Sequence, residues 1–395
     1  MKAAGAIATG VDWQEALSAT LEQTSLQLEG SPVDLALLFA SADYSPHYPE
    51  MLALARSRLG ASVLIGCSGQ GVIGRDREVE QEPAVSVLAF SLPGVELRRR
   101  HVRQADIQDD EAASHWLHSI GITAVDVNAW LILADPFSLD PERLLSVLSR
   151  AYPEIPLVGG LASGDMRQQE THLFLDGEVI EDGAIALALG GPYTVHTVVS
   201  QGAEPIGETW TITSASGNVV ETLGMRPALE ILAETLRSLP SETQERARSN
   251  LLVGLAMNEY RDDFRRGDFL IRNLRGVDSE RGAIAIGAVP RVGQTLQFQL
   301  RDPKAADSDL VELLQRAKGE LGERRPIGAL LFACNGRGVG LFGAPSHDAC
   351  TISEQLGPVP LAGFFCNGEI GPVSGKPFLH GFTASLAVIV PKSTT

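Results

Sequence analysis

The sequence predicts an α/β protein in which repeated β-α-β-β units form mixed sheets flanked by helices. Three segments share one order, namely an apolar strand, a helix, a second apolar strand and a third strand after a short polar connection. They run from Leu35 to Phe90, from Leu131 to Leu189 and from Ala329 to Val390. Continuous apolar strands are typical of sheets that are covered on both faces. Because no helix precedes the third strand, we expect it to add antiparallel.

Start signals mark the helices of these units. The first unit carries Ser45-Pro46 and the second carries Asp140-Pro141. In both, a side-chain oxygen that can cap free amides precedes a proline at the first helical position, where a missing N–H costs nothing. In the third unit we expect a short helix after Ser346.

A region of different composition separates the second unit from the third. It begins with residues 194–222, which are rich in threonine, valine and glycine and have a hairpin turn expected at Ser216-Gly217-Asn218. We place a domain boundary near Thr222. This gives two domains of similar size, residues 1–222 with the first two units, and residues 223–395 with the third unit and a β-rich part, which could be a diverged fourth unit.

Composition and charge narrow the class of protein. The chain has 395 residues, 44% of them hydrophobic, which is enough to bury a full core, and its formal net charge is -17. This charge disfavours nucleic acid and anionic membrane surfaces as partners. The sequence shows no membrane span or secretory signal, so we expect a cytoplasmic protein, and an oligomer is compatible with the pattern.

The cysteines and histidines do not indicate a metal site or a disulfide framework. Cys67, Cys334, Cys350 and Cys366 lack C-x-x-C spacing, and the eight histidines are scattered. We therefore expect reduced thiols and no bound metal.

Gly69 to Gly74 reads G-x-G-x-x-G directly after a strand. This pattern binds dinucleotides only where its last glycine lies in a helix. Residues 75–83 have no apolar face of helical period and end in a proline. We favour a glycine turn that leads into another strand, and we expect no cofactor.

Glycines and polar residues follow the strands of these units, and such loops gather at one edge of an α/β sheet. Arg337 could bind a ligand carboxylate with two parallel donors, and Glu369 could neutralise an ammonium group. For each polar residue, a hydrogen bond within its own turn is the alternative. The candidate ligand-binding residues are Ser68, Gly69, Ser163, Arg272, Asn335, Arg337, Cys366, Asn367, Gly368, Glu369 and His380.

Thiol chemistry is the alternative use of the same loops. Cys366 or Cys334 could act as a nucleophile, with His380 as the base for Cys366 and Glu369 as its orienting group. Against this, cysteine also fits crowded strand ends, and the second unit has no thiol at that place. We therefore assign no catalytic residue.

Three motifs carry a family resemblance. Residues 334–338 (CNGRG), 363–372 (GFFCNGEIGP) and 379–383 (LHGFT) resemble the C-terminal signature of the FIST family. Residues 65–68 and 157–160 are similar to its N-terminal domain.

The resemblance implies an intracellular signal-transduction module that senses small ligands such as amino acids. We therefore expect a cytoplasmic sensor that binds an amino acid or a similar metabolite and acts on a separate signalling protein. The alternatives are a thiol-dependent hydrolase or transferase and a scaffold for protein–protein interaction.

Overall fold

The computed structural model describes residues 1–108, 112–120, 122–165, 168–261 and 263–392. The strands in chain order are β1 (Lys2–Thr9), β2 (Leu35–Ser41), β3 (Val63–Gly69), β4 (Val72–Gly74), β5 (Arg77–Val79), β6 (Ala84–Ser91), β7 (Glu96–Val102), β8 (Ala129–Ala134), β9 (Leu157–Leu161), β10 (Leu173–Leu175), β11 (Glu178–Ile180), β12 (Ala184–Gly190), β13 (Tyr193–Gln201), β14 (Ala203–Ser216), β15 (Val219–Leu223), β16 (Arg226–Pro227), β17 (Leu251–Ala256), β18 (Phe269–Asp278), β19 (Ala283–Ile286), β20 (Thr295–Arg301), β21 (Gly328–Cys334), β22 (Leu361–Cys366), β23 (Glu369–Val373), β24 (Lys376–His380) and β25 (Thr383–Pro391).

The helices are α1 (Trp13–Leu28), α2 (Tyr48–Leu59), α3 (Ala112–Ile120), α4 (Pro141–Ala151), α5 (Ala228–Ser238), α6 (Ser241–Asn250), α7 (Pro303–Leu321), α8 (Gly338–Phe342) and α9 (His347–Leu356). Short 3₁₀ turns lie at Ala42–His47, Gln104–Ile107 and Ala124–Asp126.

The chain packs into two compact units. The first consists of Met1–Val199, Leu310–Leu379 and the chain from Thr383 onward, and the second consists of Ser200–Asp309 and His380–Phe382. These units are defined by packing, whereas the boundary near Thr222 divides the sequence. That boundary stays a prediction.

In the described part of the first compact unit, the strands form three six-stranded mixed sheets with corresponding strand orders. The orders are β1-β6-β2-β3-β10-β11, β7-β12-β8-β9-β23-β24 and β13-β25-β21-β22-β4-β5. In each sheet the two strands that flank a helix pair parallel, as β2–β3, β8–β9 and β21–β22. The third strand of each unit pairs antiparallel with the first. The predicted α/β class with mixed sheets is confirmed.

A hairpin from a different unit completes the outer edge of each sheet. Strand β10 follows β9 in the chain but pairs with β3. Strand β23 follows β22 but pairs with β9, and strand β4 follows β3 but pairs with β22. The exchange closes a cycle, so that the second strand of every unit has partners on both sides.

The central strands of each sheet, such as β2, β8 and β22, are buried on both faces, which explains their continuous apolar sequences. The inner faces share one core, to which β2 contributes Leu35, Leu37 and Phe39 and the other two sheets contribute residues such as Leu133 and Phe332. Helices cover the outer faces, with α1 and α2 on the first sheet, α4 on the second, and α7 and α9 on the third.

The parallel pairs approach closely at one equivalent glycine in each unit. A Cβ atom at Gly66, Gly159 or Gly363 would overlap a backbone carbonyl oxygen of the neighbouring strand. Only glycine fits at these places, so these residues belong to the framework of the fold.

The second compact unit is an antiparallel barrel. Its strands pair in the order β14-β20-β17-β18-β19-β15, and β15 pairs again with β14. The predicted hairpin turn at residues 216–218 joins β14 to β15 and is confirmed. The described strand pairings of this second compact unit are all antiparallel. Its described part therefore does not repeat the β-α-β order of the three repeated units.

Two of the three predicted helix starts are confirmed. The backbone N of Arg143 donates to Asp140 Oδ1 at 3.0 Å, and α9 begins directly after Ser346. The start at Ser45-Pro46 is wrong, because both residues lie in a 3₁₀ turn and α2 begins at Tyr48.

The G-x-G-x-x-G stretch also follows the sequence interpretation. Gly69 ends β3, and β4 begins at Val72, so the glycines lead into a strand. Among the described residues from Gly69 to Val79, no helix begins that could hold a pyrophosphate at its N-terminus.

We predict that Gly363→Ala lowers the free energy of unfolding by roughly 3 kcal/mol or more, because the new Cβ would overlap the carbonyl oxygen of Leu331. The matched control is Gly319→Ala in α7, where the new Cβ meets open space and alanine should stabilise the helix by about 1 kcal/mol or less. Urea unfolding measures both. Equal midpoints for Gly363→Ala and the wild type would contradict the close approach.

Candidate functional site

A hydrogen-bonded junction forms where β3, β9 and β22 end. The Ser68 hydroxyl donates to the carbonyl of Ser163 at 2.8 Å. The backbone N of Gln70 donates to Ser163 Oγ at 2.8 Å, and that hydroxyl donates to the carbonyl of Phe365 at 2.5 Å. Segments from all three units therefore meet at Ser163.

Two asparagines extend this junction into the third unit. The side-chain nitrogen of Asn367 donates to the carbonyl of Ala162 at 3.0 Å. Asn335 Nδ2 donates to Asn367 Oδ1 at 2.7 Å, and the backbone N of Asn335 donates to the carbonyl of Cys366 at 3.0 Å.

The two predicted site glycines belong to the same region. Gly69 is the last residue of β3, and the carbonyl of Gly368, between β22 and β23, accepts from the backbone N of Leu161 at 2.8 Å. The structure thus brings together Ser68, Ser163, Asn335 and Asn367 as a structural link between strand ends. Their ligand role stays a prediction.

Arg337 lies in a buried ion pair. It is 1% exposed, and its Nε and Nη2 atoms donate to the carboxylate of Asp348, which is also 1% exposed. Burial alone would raise the pKa of the Asp348 carboxyl, but Arg337 and His347 hold that pKa below its usual value. The guanidinium makes the predicted two-donor contact, but with a carboxylate of its own chain.

Glu369 is fully buried at the start of β23. Its Oε2 atom accepts from the backbone N of Thr383 at 3.1 Å and from the Thr383 hydroxyl at 2.8 Å. This carboxylate links β23 to β25 within the first compact unit.

Two predicted site residues group with the second compact unit. Arg272 lies half-buried on β18, and its Nη1 atom donates to the carbonyl of Ile271 at 3.0 Å. His380 is buried at the end of β24.

The buried thiols are poor nucleophiles. Burial raises the pKa of both Cys67 and Cys366 well above the usual value, and for Cys366 the nearby Glu369 adds to the effect. Both therefore stay protonated at neutral pH, so the structure gives no support to Cys366 as a nucleophile. Cys334 is half-buried at the end of β21.

A cleft of about 390 Å³ opens at the carboxyl ends of β2, β3 and β9. Its polar lining includes Asp43, Ser45, Gln70, Asp165, Glu170 and His172. It adjoins the junction, because the backbone N of Gln70 bonds to Ser163 Oγ and the side chain of Gln70 donates to the carbonyl of Gly164 at 3.2 Å.

His172 is held firmly in the wall of this cleft. Its backbone N donates to Ser68 Oγ at 2.9 Å, and its ring packs edge-to-face on Tyr48 with 5.1 Å between ring centroids. His172 is 7% exposed, and its Nε2 atom lies 3.4 Å from Glu170 Oε1. Burial lowers the pKa of His172, although Glu170 opposes the shift, so the ring is neutral at pH 7 and can donate or accept a hydrogen bond.

The charged groups among the described lining residues are acidic, namely Asp43, Asp165 and Glu170. Such a lining attracts an ammonium group, while the amide of Gln70 and the neutral His172 can bind polar groups in either direction. Sequence reasoning missed these residues although a signal was present. Asp43, Gln70 and Asp165 all follow the carboxyl ends of strands, where ligands bind in α/β folds.

Over the described part of the chain, no cluster of three or more histidine, cysteine, aspartate or glutamate side chains is placed to hold a metal ion. Nor is any described helix both long enough and apolar enough to cross a membrane.

Family models match almost the whole chain. Residues 34–226 match the FIST N domain and residues 228–372 match the FIST C domain. The chain therefore belongs to the FIST family, as the sequence motifs predicted. Domains of this family are associated with signal transduction and with the binding of small ligands.

Similar proteins occur in several organisms. An uncharacterized protein of Mycobacterium tuberculosis is 40% identical over 384 residues, which cover 97% of this chain and 98% of the relative. An uncharacterized protein of Mycobacterium bovis is 37% identical over 385 residues, 97% of each chain. An F-box/LRR-repeat protein of Arabidopsis thaliana is 28% identical over 118 residues, 26% of this chain and 22% of that protein.

Among solved structures, cyanuric acid hydrolases are weakly similar. One has a TM-score of 0.33 and 9% identity, and another, from A. caulinodans, has a TM-score of 0.37 and 10% identity. Each comparison covers 99% of this chain and 100% of the other. At such low values the likeness says nothing about what this chain binds or does.

We predict that iodoacetamide labels Cys366 in the native protein roughly tenfold more slowly than Cys350, or slower still, because Cys366 is buried and Cys350 is half-buried. Peptide mass spectrometry after timed quenching measures both rates. In urea the two rates should become similar, which serves as the control. Faster labelling of Cys366 than of Cys350 in the native state would contradict this prediction and support the hypothesis of a thiol-dependent enzyme.

Proposed function

We propose that this protein is a cytoplasmic sensor that binds a small, amine-bearing metabolite such as an amino acid and acts on a separate signalling protein. The ligand would bind in the cleft lined by Asp43, Gln70, Asp165, Glu170 and His172. Membership of the FIST family supports small-ligand sensing in general.

The cleft is the observation that carries this proposal. Its volume of about 390 Å³ lies within the range of roughly 300 to 1,000 Å³ that is typical of small-molecule sites. It opens at the carboxyl ends of parallel strands, and its wall holds a neutral, buried imidazole. These features suit a polar ligand of metabolite size.

Charge favours a ligand that carries an amine. Asp43, Asp165 and Glu170 surround the cleft, and ionised carboxylates bind ammonium groups through charge-assisted hydrogen bonds. The proposal does not depend on Arg337 or Glu369, since their charged groups contact Asp348 and Thr383 respectively.

We predict that thermal-shift and calorimetric screening will find stabilising amino acids or amines. A ligand at a hundred times its Kd should add about 2.7 kcal/mol to the free energy of unfolding. Each amino acid is paired with its 2-hydroxy acid, which lacks the amine and should give no shift.

Substitutions then locate the binding site. The double variant Asp43→Asn/Glu170→Gln should lose the shift, whereas Glu178→Gln, at an exposed position on β11, should keep it. A panel without any stabilising compound would contradict ligand sensing and favour the scaffold hypothesis. A shift that the double variant retains would contradict the cleft as its location.

A further inference from the structure

The β4–β5 hairpin is anchored to helices α8 and α9 by two glutamates. Glu78 on β5 accepts from the backbone N of Ala349 in the first turn of α9 at 2.9 Å, and its own backbone N donates to Ser346 Oγ at 3.1 Å. Glu80 accepts from the backbone N of Val339 in α8 at 2.8 Å. A segment of the first repeated unit is thus held to helices of the third repeated unit.

The carboxyl group of Glu78 is buried, and among the described residues only one of its two oxygens accepts a hydrogen bond. The residue is 6% exposed, and its Oε2 atom is buried with no hydrogen-bond partner among the described residues. An ionised carboxylate in such a place loses its hydration without full compensation.

The buried charges around Glu78 do not balance. Arg337 and Asp348 neutralise each other as an ion pair, so an ionised Glu78 would add one uncompensated negative charge. The charged and titratable groups on the neighbouring segments are Asp76 before β5, Glu80 after it, Arg337 before α8, and His347, Asp348 and Cys350 on α9. Apart from Arg337, none of these groups offers Glu78 a permanent positive charge.

We infer that Glu78 is a proton-binding site, and that its bound proton holds the β4–β5 hairpin against α9. A neutral carboxyl group can remain buried there and still accept from Ala349 through one oxygen. An ionised one favours release of the hairpin into water.

The expected direction of the pH effect follows from the pKa. Burial first, and then the charge of Asp348, raise the pKa of Glu78 from 4.5 to about 8, while Ala349 and Arg337 oppose the shift. Release of the hairpin returns the carboxyl to a pKa near 4.5, so release sets a proton free. Attachment is therefore strongest below pH 4.5 and weakens as the pH rises to about 8.

The hairpin transmits this change to the junction of strand ends. Strand β4 pairs with β22, and the carbonyl of Gly71, just before β4, accepts from the backbone N of Phe365 at 3.0 Å. Phe365 is also a partner of Ser163. Proton loss at Glu78 thus loosens an edge of the third sheet next to residues that bind the three units together.

Hydrogen exchange tests this inference, under conditions where the exchange rate reports equilibrium opening. Between pH 5.5 and 7.5, after correction for intrinsic exchange, opening of residues 72–79 should increase up to about tenfold per pH unit. The reference segment, α4, should show no such slope. In Glu78→Gln the slope of residues 72–79 should vanish.

Two further variants separate Glu78 from its neighbours. Glu80→Gln and His347→Gln should both retain the slope, because neither removes the Glu78 carboxyl. A flat profile in the wild type, a slope that survives Glu78→Gln, or its loss in His347→Gln would each overturn the inference. If Glu78→Gln does not fold, NMR titration of the Glu78 carboxyl carbon in the wild type decides, since titration near 4.5 rather than about 8 would also overturn it.

Discussion

The first compact unit depends on one constraint. In each of the three repeated β-α-β-β units, the outer edge of the second strand must be paired by a hairpin from another repeated unit. Strands β3, β9 and β22 meet this requirement through β10, β23 and β4. Without these partners, each second strand would present a row of unpaired backbone groups. No repeated unit can therefore complete its sheet alone. Strands of the region that matches the FIST N domain pair with strands of the region that matches the FIST C domain, as β4 with β22 and β9 with β23.

This cyclic exchange also determines where polar residues gather. Since each hairpin leaves its own unit directly after the second strand, three crossing points lie close together, and Ser163 and Asn367 hold them by hydrogen bonds. The cleft beside them is lined by segments of the first and the second repeated units, which contribute residues such as Asp43 and His172 respectively. A ligand there would contact two of the repeated units at once.

Local sequence patterns predicted the apolar strands of the repeated units but not the exchange of hairpins between these units. Apolar runs gave the strands, and Asp140 gave a helix start, because these depend on neighbours in the chain. Which edge a hairpin pairs with depends on three-dimensional closure, which no local pattern specifies. The same reason explains why the sequence did not predict the ion pair between Arg337 and Asp348. The glycines that flank Arg337 suggested a clamp for a ligand carboxylate, whereas its partner Asp348 resembles an ordinary acidic residue at the start of a helix.

The location of the proposed ligand site can be tested most directly by NMR of histidine side chains. We expect that addition of an amine-bearing ligand shifts the imidazole signals of His172, in the wall of the cleft, and leaves those of His196, on β13 beside Glu320, unchanged. A ligand that binds but shifts His196 and not His172 would contradict binding in this cleft.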